Sequence, residues 1–453
     1  MELREYQKKL IDDIKSLITQ GYKSILAVLG CGGGKSVIQA EIVKNSINKG
    51  NRVLYLVHRK ELCEQIVNTF ALHGVDMKEC DVVSIQTYRR NSSSYRIPRL
   101  ILVDEAHTNL TAYKKVFEEN DCIKIGFTAT PVRLKEKGLG DLFQVITESV
   151  DTQWLIDNKF LSDFKYYSIK LADTSNVKIK AGEYDQAELS DVMENKIIYE
   201  DSVKQWIKLA KDKKTMVYCT SIESSQKTAE EFKKNGISAV HLDGKTPKTI
   251  RAEIVKYFRL GGIKVLCNAM LFSEGYDDKF IECVMLLRPT MSLALHVQQS
   301  MRGMRYLQDK ICVIIDCVGN VYKHGLPTEK REWSLNSRQK SEIKIKECVN
   351  CYAVYRINLN QCPYCGFKPE IIKKESAPKK TINANLVEID KTFKLQNTKL
   401  KDFKGKSWEE VEEFRKAKKY KFMWSIHYAL NNGIKIPPKY NKLLRSIRGN
   451  DRT

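Results

Sequence analysis

Two short motifs about seventy residues apart constrain the fold of this 453-residue chain more than any other feature. Gly32-Gly33-Gly34-Lys35-Ser36 follows the apolar run of residues 25–29, and Val103-Asp104-Glu105-Ala106-His107 ends a second apolar run that begins at residue 100. A glycine-rich turn at the start of a helix leaves backbone N–H groups available to bind phosphate. Paired carboxylates at the end of a buried strand can hold Mg²⁺ and polarise a water molecule. Together the motifs predict a nucleotide-hydrolysing site in an α/β fold.

The residue types indicate separate tasks within this site. Lys35 would reach the β- and γ-phosphates, and Ser36 would offer its hydroxyl to Mg²⁺. Asp104 would hold the metal, while Glu105 would polarise the attacking water. Leu29 stands where the strict phosphate-loop pattern has a glycine, so the match is to the looser form G-x-G-K-[ST]. The alternative, a surface acidic turn, is disfavoured because both motifs follow strand-like runs in the expected order.

Apolar runs alternate with helical segments in two regions of the chain. This rhythm favours two tandem doubly wound parallel sheets, with the ligand at the carboxyl ends of the strands. The second region lacks a phosphate loop and is interpreted as a partner domain. Strands are predicted at 25–29, 52–57, 81–85, 99–104, 122–127, 215–219, 239–242, 264–267, 283–287 and 311–316. The predicted divisions are a nucleotide-binding domain (1–150), a connector (151–200), a second domain (201–345), a zinc ribbon (346–370) and a basic, mainly helical C-terminal region (371–453).

The thirteen cysteines of the chain fall into two groups. Nine are scattered, several of them within apolar runs, as expected of buried thiols in a reducing compartment. The other four form two C-x₂-C pairs separated by ten residues: Cys348, Cys351, Cys362 and Cys365. Four thiolates at such spacing can converge tetrahedrally on Zn²⁺, so they predict a structural zinc ribbon. The alternatives are four unrelated thiols or a redox pair, although no thioredoxin-like unit surrounds either pair.

The formal net charge of +22 indicates a polyanionic partner. Residues 366–453 hold 22 Lys and Arg against 10 Asp and Glu, an excess of +12, although a solvated lysine-rich tail is the alternative interpretation. The aromatic residues of segment 407–430 favour the core of a small helical domain over a base-stacking platform. No apolar run approaches the ~20 residues that span a bilayer, and no signal peptide is recognised, so we expect a cytoplasmic protein without membrane contact.

The glycine-rich and acidic motifs, together with the segments described below, occur in the order found in the superfamily 2 helicase motor. The region from residue 1 to about 325 therefore resembles this motor, in which two RecA-like domains bind ATP between them. Residues 3–7 resemble the motif in which Arg4 and Gln7 would contact adenine. Residues 298–305 resemble the arginine-finger motif, with Met301 in place of the usual glycine. The resemblance implies that ATP and Mg²⁺ bind here and that Lys35, Asp104, Glu105, Arg302 and Arg305 are catalytic. The implied nucleotide contacts are Arg4, Gln7, Gly32, Gly33, Gly34, Lys35, Ser36, Asp104, Gly275 and Asp277.

Other segments resemble the parts of this motor that contact nucleic acid or transmit movement. Residues 128–131 resemble the motif that couples the γ-phosphate state to domain movement. The segments similar to backbone-binding or cleft-closing motifs are Val57-His58-Arg59 with Leu62 and Gln65, residues 84–87, residues 241–244 and residues 268–277.

Residues 316–325 resemble the RadD/YejH branch of DEAH-box DNA-repair helicases and a related phage-encoded branch-migration helicase, which also place cysteine pairs after the motor. This resemblance implies an ATP-dependent DNA helicase or translocase that acts on single-stranded and branched DNA in recombination, repair or replication. A monomer in solution is expected. Three alternatives stay open: an RNA helicase, a zinc-dependent nucleic-acid-binding adaptor with a vestigial ATPase core, and a restriction-type motor subunit.

Overall fold

The computed structural model describes residues 2–132, 138–168, 174, 176–180, 182–193, 196–269, 271–272, 276, 278–336, 345–368, 407–418 and 420–441. The chain divides into two compact units, residues 1–369 and residues 370–453. The first unit contains two six-stranded sheets and two short hairpins. Among the described residues, no helix is long and apolar enough to cross a bilayer.

Six strands before residue 150 form the first sheet. They are β1 (Ser24–Val28), β2 (Val53–Val57), β3 (Cys80–Ser84), β4 (Leu100–Val103), β5 (Ile123–Thr128) and β6 (Val145–Glu148). Their spatial order is β3-β2-β4-β5-β1-β6, and every pairing is parallel. The glycine-rich loop follows β1 and the acidic motif follows β4, so both lie at the carboxyl edge of the sheet, where α/β proteins bind ligands.

Helices cover both faces of this sheet, which is why its strands are apolar on both sides. They are α1 (Glu5–Thr19), α2 (Lys35–Ile47), α3 (Glu61–Leu72), α4 (Ile85–Arg90) and α5 (Leu110–Glu119). Ile25 of β1 packs into the core that contains residues of α1, α2 and α3. The next residue, Leu26, packs on the opposite face with residues of α4 and α5.

The second sheet contains five strands from the second alternating region and one from the expected connector. Its strands are β7 (Asp163–Ser168), β10 (Thr215–Cys219), β11 (Ala239–Leu242), β12 (Val265–Asn268), β13 (Cys283–Leu287) and β14 (Ile311–Asp316). Their order is β11-β12-β10-β13-β14-β7, again parallel throughout. Strand β7 therefore joins the edge of the second sheet beside β14.

The helices of this second region frame the sheet and its connections. They are α6 (Thr152–Asp157), α7 (Gln186–Met193), α8 (Lys196–Ala210), α9 (Ile222–Lys234), α10 (Lys248–Leu260), α11 (Leu293–Ser300) and α12 (Asn320–His324). A small hairpin, β8 (Ile179–Lys180) and β9 (Glu183–Tyr184), precedes α7. A 3₁₀ turn, Met301–Met304, follows α11 directly.

A second hairpin is formed by β15 (Ile345–Glu347) and β16 (Val354–Arg356); the first cysteine pair lies in its turn and the second pair follows β16. In the second unit, the described residues form α13 (Trp408–Lys418) and α14 (Phe422–Asn431). Trp408, Ile426 and Ala429 form the centre of a small core there. The aromatic side chains of Tyr420 and Trp424 are half-buried.

The expected architecture of two tandem RecA-like doubly wound parallel sheets, with a cysteine-rich ribbon after them, is confirmed. Most predicted strands agree with the structure to within one or two residues at each end. Strands β6 and β7 were not predicted. Both are edge strands with mixed polar and apolar residues, and neither is buried along its whole length as β1 and β10 are.

Candidate nucleotide site, nucleic-acid groove and zinc ribbon

The loop between β1 and α2 has the backbone geometry of a phosphate cradle. Gly34 immediately precedes α2, and Gly32 and Gly34 both adopt φ of +84°. This left-handed conformation favours glycine. A Cβ at Gly34 would also lie 2.6 Å from Nε2 of Gln7, so the side chain of α1 fills the space a larger residue would need. The start of α2 therefore presents backbone N–H groups to the carboxyl edge of the sheet.

Lys35 and Glu105 are brought together at this edge. Lys35 Nζ lies 2.7 Å from Glu105 Oε1, and only 14% of each side chain is exposed. Burial alone would raise the pKa of Glu105, but the positive charge of Lys35 and the nearby His107 lower it. Glu105 itself adopts a φ of +47°, an uncommon backbone conformation for a residue other than glycine. The pair therefore holds opposite charges at the centre of the predicted site.

Asp104 is oriented by two residues that the sequence analysis did not single out. Gln39 Nε2 of α2 donates to Asp104 Oδ1 at 3.2 Å, and Tyr55 of β2 donates its hydroxyl proton to Gln39 Oε1 at 2.9 Å. Burial, reinforced by the charge of Glu105, raises the pKa of Asp104. Asp104 and Ser36 line the same cavity, and carboxylate and hydroxyl oxygens are ligands that Mg²⁺ prefers, so these residues fit the metal.

The acidic motif is also linked to the segment that follows β5. His107 Nδ1 forms a 2.9 Å hydrogen bond with Thr128 Oγ1, and the same oxygen accepts from the backbone N–H of Thr130 at 3.0 Å. His107 in turn lies 3.5 Å from Glu105 Oε2. A continuous chain of contacts therefore runs from the Glu105 carboxylate through His107 to residues 128–130, at the ends of the neighbouring strands β4 and β5.

The opposite wall of the cleft comes from the second domain. Arg302 and Arg305 line a cavity of about 180 Å³ together with Lys35, Asp104 and Glu105. A Cβ at Gly32 would lie 2.7 Å from Nη1 of Arg305, which places this guanidinium directly against the glycine-rich loop. The predicted catalytic residues thus face one another across the domain boundary.

Met301 occupies the position where the family pattern has glycine. Its side chain is buried and also lines the cavity. The hydroxyl of Thr152 lies 3.9 Å from the Met301 sulfur, so the methionine packs against the segment that leaves the first domain. The substitution therefore fills interdomain space and leaves both arginines directed at the cleft.

The residues expected to contact adenine lie beside the loop. Gln7 Nε2 and the Tyr6 hydroxyl both donate to the carbonyl of Gly33, at 3.1 and 2.8 Å. The Arg4 guanidinium lies 4.1 Å from the centroid of the Phe160 ring. Adenine contact by Arg4 and Gln7 stays a prediction. Gly275 and Asp277, the other expected nucleotide contacts, lie outside the described residues.

A basic groove crosses the two domains next to the nucleotide cavity. Arg59 and Gln65 lie on its first-domain side, and Lys245, Lys248 and Arg251 lie on its second-domain side, around a volume of about 820 Å³. Asp243 Oδ1 accepts from the backbone N–H groups of residues 245 and 246, both at 2.9 Å, and so shapes the turn that presents Lys245. Segments 57–65 and 241–244, expected to bind nucleic acid, therefore meet at one groove.

The four cysteines of the ribbon have the arrangement of a zinc site. Their sulfur atoms all lie within 4.8 Å of one another. The Cys348–Cys365 and Cys351–Cys362 sulfur distances are 3.6 and 3.7 Å. A tetrahedral site with Zn–S bonds of about 2.3 Å requires S···S distances of about 3.8 Å, so the geometry fits Zn²⁺. The backbone N–H of Phe367 lowers the pKa of Cys365 to about 6, which favours its thiolate form.

The ribbon packs onto the second domain. Ala353 forms a β-bridge with Tyr167 of the edge strand β7, and the Tyr364 hydroxyl donates to the Phe164 carbonyl at 3.4 Å. Arg356 Nη2 donates to the carbonyl of Thr328 at 3.0 Å. The ribbon therefore covers the edge of the second sheet, where exposed backbone groups would otherwise be available for pairing.

Family comparisons match two parts of the chain. Residues 1–98 match the family described as "Type III restriction enzyme, res subunit", and residues 199–307 match "Helicase conserved C-terminal domain". The 51.5 kDa protein of a Lactococcus phage (isolate 7-9) is 39% identical over 400 residues, which cover 86% of this chain and 88% of that protein. The IRC3 protein of Saccharomyces cerevisiae, named as an ATP-dependent helicase, is 32% identical over 70% of this chain and 51% of its own length. The chain thus spans about half of this fungal relative.

Solved structures share the fold at low sequence identity. A fragment of an HsdR subunit, named as part of a type I restriction enzyme from Vibrio vulnificus YJ016, superposes with a TM-score of 0.56 and 20% identity over 72% of this chain and 67% of that chain. The type ISP restriction-modification enzyme LlaBIII, solved with DNA, gives a TM-score of 0.54 and 16% identity over 70% of this chain and 27% of that chain.

Two RecA-like domains, a nucleotide cleft between them and the two matched family regions define an ATP-dependent motor of superfamily 2 helicase type. Within this class, the chain belongs to the same family as the Lactococcus phage 51.5 kDa protein.

Proposed function

We propose that the protein is an ATP-dependent DNA helicase or translocase, of the RadD/YejH-like type, that acts on branched DNA in recombination, repair or replication. The observation that carries this proposal is the position of α3. Leu62 and Gln65 of this helix line both the nucleotide cavity and the basic groove. A movement of α3 at the nucleotide cavity would therefore also move the surface that would hold the nucleic-acid backbone.

Hydrolysis follows from the residues that line the cleft. The phosphates of ATP draw Lys35 away from Glu105, and Glu105 then becomes available to polarise the attacking water. Asp104 and Ser36 would hold Mg²⁺, which would neutralise negative charge on the phosphates. Arg302 and Arg305 stabilise the charge that develops in the transition state only when the second domain closes on the first. The groove residues of the two domains would then move relative to each other once in each cycle.

DNA is the proposed polymer because LlaBIII, a restriction-modification enzyme with a similar fold, was solved bound to DNA. HsdR, the other neighbour by fold, is a subunit of a type I restriction enzyme. The zinc ribbon and the +12 excess charge of residues 366–453 support additional contacts beyond a single strand. An RNA helicase is the alternative, since the motor motifs contact backbone. A vestigial ATPase is disfavoured because Lys35, Glu105 and both arginines converge on one cavity.

The test is a comparison of ATP hydrolysis rates with different activators. Single-stranded DNA, a fork, a four-way junction and single-stranded RNA of equal length are supplied at matched nucleotide concentration. We expect DNA to stimulate hydrolysis more than RNA, and branched DNA to give half-maximal stimulation at the lowest concentration. Equal or greater stimulation by RNA would contradict the DNA assignment, and no stimulation by any polymer would contradict the motor.

A further inference from the structure

Three side chains from two distant segments, Glu183 of β9 and Asn320 and His324 of α12, converge on Thr290, just before α11. Glu183 Oε2 accepts from the Thr290 hydroxyl at 2.7 Å, and Asn320 Oδ1 accepts from the Thr290 backbone N–H at 3.0 Å. His324 Nε2 donates to the Thr290 carbonyl at 2.9 Å. The other oxygen of Glu183 accepts from the backbone N–H of Met291 at 2.7 Å. Every polar group of Thr290 is thus held by a partner that lies far away in sequence.

The residues after Thr290 lead directly to the arginines of the cleft. Helix α11 spans eight residues, about 12 Å, and nearly all of them are buried. The 3₁₀ turn that contains Arg302 begins where the helix ends, and Arg305 follows. Because a short buried helix moves as a rigid rod, a shift at its first residues is transmitted to the arginine side chains at its far end.

The segment 316–325 provides a rigid backing for this helix. The rings of His296 on α11 and His324 on α12 stack with centroids 5.2 Å apart, and His296 Nε2 donates to the Gly325 carbonyl at 3.2 Å. Asp316 Oδ2 accepts from the Val321 backbone N–H at 2.9 Å and from the hydroxyl of Tyr166 at 3.0 Å. The segment is therefore fixed to the second sheet on one side and to α11 on the other.

We propose that Glu183, Asn320 and His324 are positioning residues for Arg302 and Arg305. This inference rests on the proposed function, because the arginines act on the transition state of ATP hydrolysis. It gives the connector hairpin and the 316–325 segment a role in catalysis, although neither touches the nucleotide cavity. A displacement of about 1 Å in such groups can lower a rate by about 100-fold, so small changes at Thr290 have large effects on kcat.

The test compares Glu183→Ala with Glu188→Ala as the matched control. Glu188 lies in the same segment and binds Lys178, at 2.8 Å to its backbone N–H and 2.7 Å to its Nζ, and it makes no described contact with Thr290. We expect Glu183→Ala to lower kcat at least about tenfold with unchanged ATP affinity, and Glu188→Ala to keep the wild-type kcat. In an Arg302→Ala background, the further loss caused by Glu183→Ala should be less than multiplicative, because one of the two guanidinium groups that Glu183 positions is already absent.

Amide hydrogen exchange over residues 290–305 provides a second readout that does not depend on turnover. We expect faster exchange in Glu183→Ala and unchanged exchange in Glu188→Ala. Unaltered exchange in Glu183→Ala, or a full multiplicative loss in the Arg302→Ala background, overturns the positioning role. A wild-type protein with no ATPase activity overturns the proposed function instead, and the exchange measurement still decides whether Glu183 holds the start of α11.

Discussion

Lys35 Nζ lies 2.7 Å from Glu105 Oε1, so the group that would neutralise phosphate is paired with the group that would polarise water. Lys35→Ala should abolish hydrolysis, because the β- and γ-phosphates lose their cation and the buried Glu105 loses its lysine partner. Glu105→Gln should retain ATP binding while it stops turnover, and it should trap a closed complex on DNA. Steady-state ATPase rates and equilibrium nucleotide binding measure the two effects.

The control for both variants is Lys44→Ala. Lys44 lies on the same helix, and its Nζ is 3.4 Å from the His73 carbonyl, away from the cleft. Near wild-type turnover is expected for this control. Wild-type turnover in Lys35→Ala or Glu105→Gln would refute the assignment of the nucleotide site.

Arg302 and Arg305 enter the cleft from the second domain. Arg302→Ala or Arg305→Ala should lower kcat by about 10³-fold or more, with a smaller effect on nucleotide affinity, because an arginine finger acts mainly on the transition state. Single-turnover hydrolysis with separate measurement of ATP binding distinguishes these effects. A loss confined to KM would mark the two arginines as ground-state contacts of ATP.

The hydrogen bond between His107 and Thr128 links the acidic motif to residues 128–130 at 2.9 Å. Thr128→Val keeps the side-chain shape but removes the oxygen that also accepts from Thr130 N–H. We expect ATP binding and most of the hydrolysis rate to persist, while the amount of duplex unwound per ATP falls. Thr19→Val, which removes a hydroxyl contact with the Lys15 carbonyl on α1, away from the cleft and the groove, is the control. Equal loss of unwinding and hydrolysis in Thr128→Val would argue against coupling through this contact.

The purified protein should contain about one Zn²⁺ per chain, the stoichiometry of a single four-thiolate site. Cys362→Ser should lose the metal, whereas Cys63→Ser should keep it. Because the ribbon covers strand β7 through Ala353 and Tyr364, zinc loss should also lower the Tm of the second domain and favour aggregation. Metal analysis of unchelated protein that shows no zinc would contradict the ribbon.

Much of the fold and the centre of the site could be predicted because they depend on local patterns. Continuous apolar runs mark strands that are buried on both faces, as in β1 and β10. Lys35 and Glu105 follow two such runs, and parallel strands bring their carboxyl ends together. The four cysteines carry their own spacing signal. These features need no knowledge of long-range packing.

The parts that escaped prediction depend on contacts between distant segments. Strand β7 has an alternating polar pattern because it lies at an edge and is completed by the ribbon, a contact between Tyr167 and Ala353, 186 residues apart, that no local pattern reveals. Nothing in the sequence around Gln39 indicates its hydrogen bond to Asp104, which depends on the packing of α2 against the end of β4. Glu183 stands in a polar connector, and its partner at Thr290 emerges only from the tertiary structure.

Recognition of branched DNA should depend on the second unit, because the groove of the motor is proposed to bind a single strand and the charge excess of +12 lies in residues 366–453. A chain that ends at residue 369 removes this unit and keeps the first compact unit, including the ribbon that covers β7. We expect this truncated protein to retain ATPase activity. Its binding to forks and four-way junctions should weaken more than its binding to single strands, because fewer phosphates are contacted.

Salt titration distinguishes this prediction from a tail that adds only non-specific affinity. If the second unit contacts duplex arms, the slope of log K against log salt for branched DNA should be flatter in the truncated protein by about 0.9 for each phosphate contact removed. The slope for single strands should change less. A second truncation at residue 345, which also removes the ribbon, shows whether the ribbon contributes independently. Removal of residues 370–453 could instead weaken binding equally on single-stranded and branched DNA. That outcome would locate junction recognition within the first unit, where the groove lined by Arg59, Lys245 and Lys248 is a basic surface shared by both motor domains.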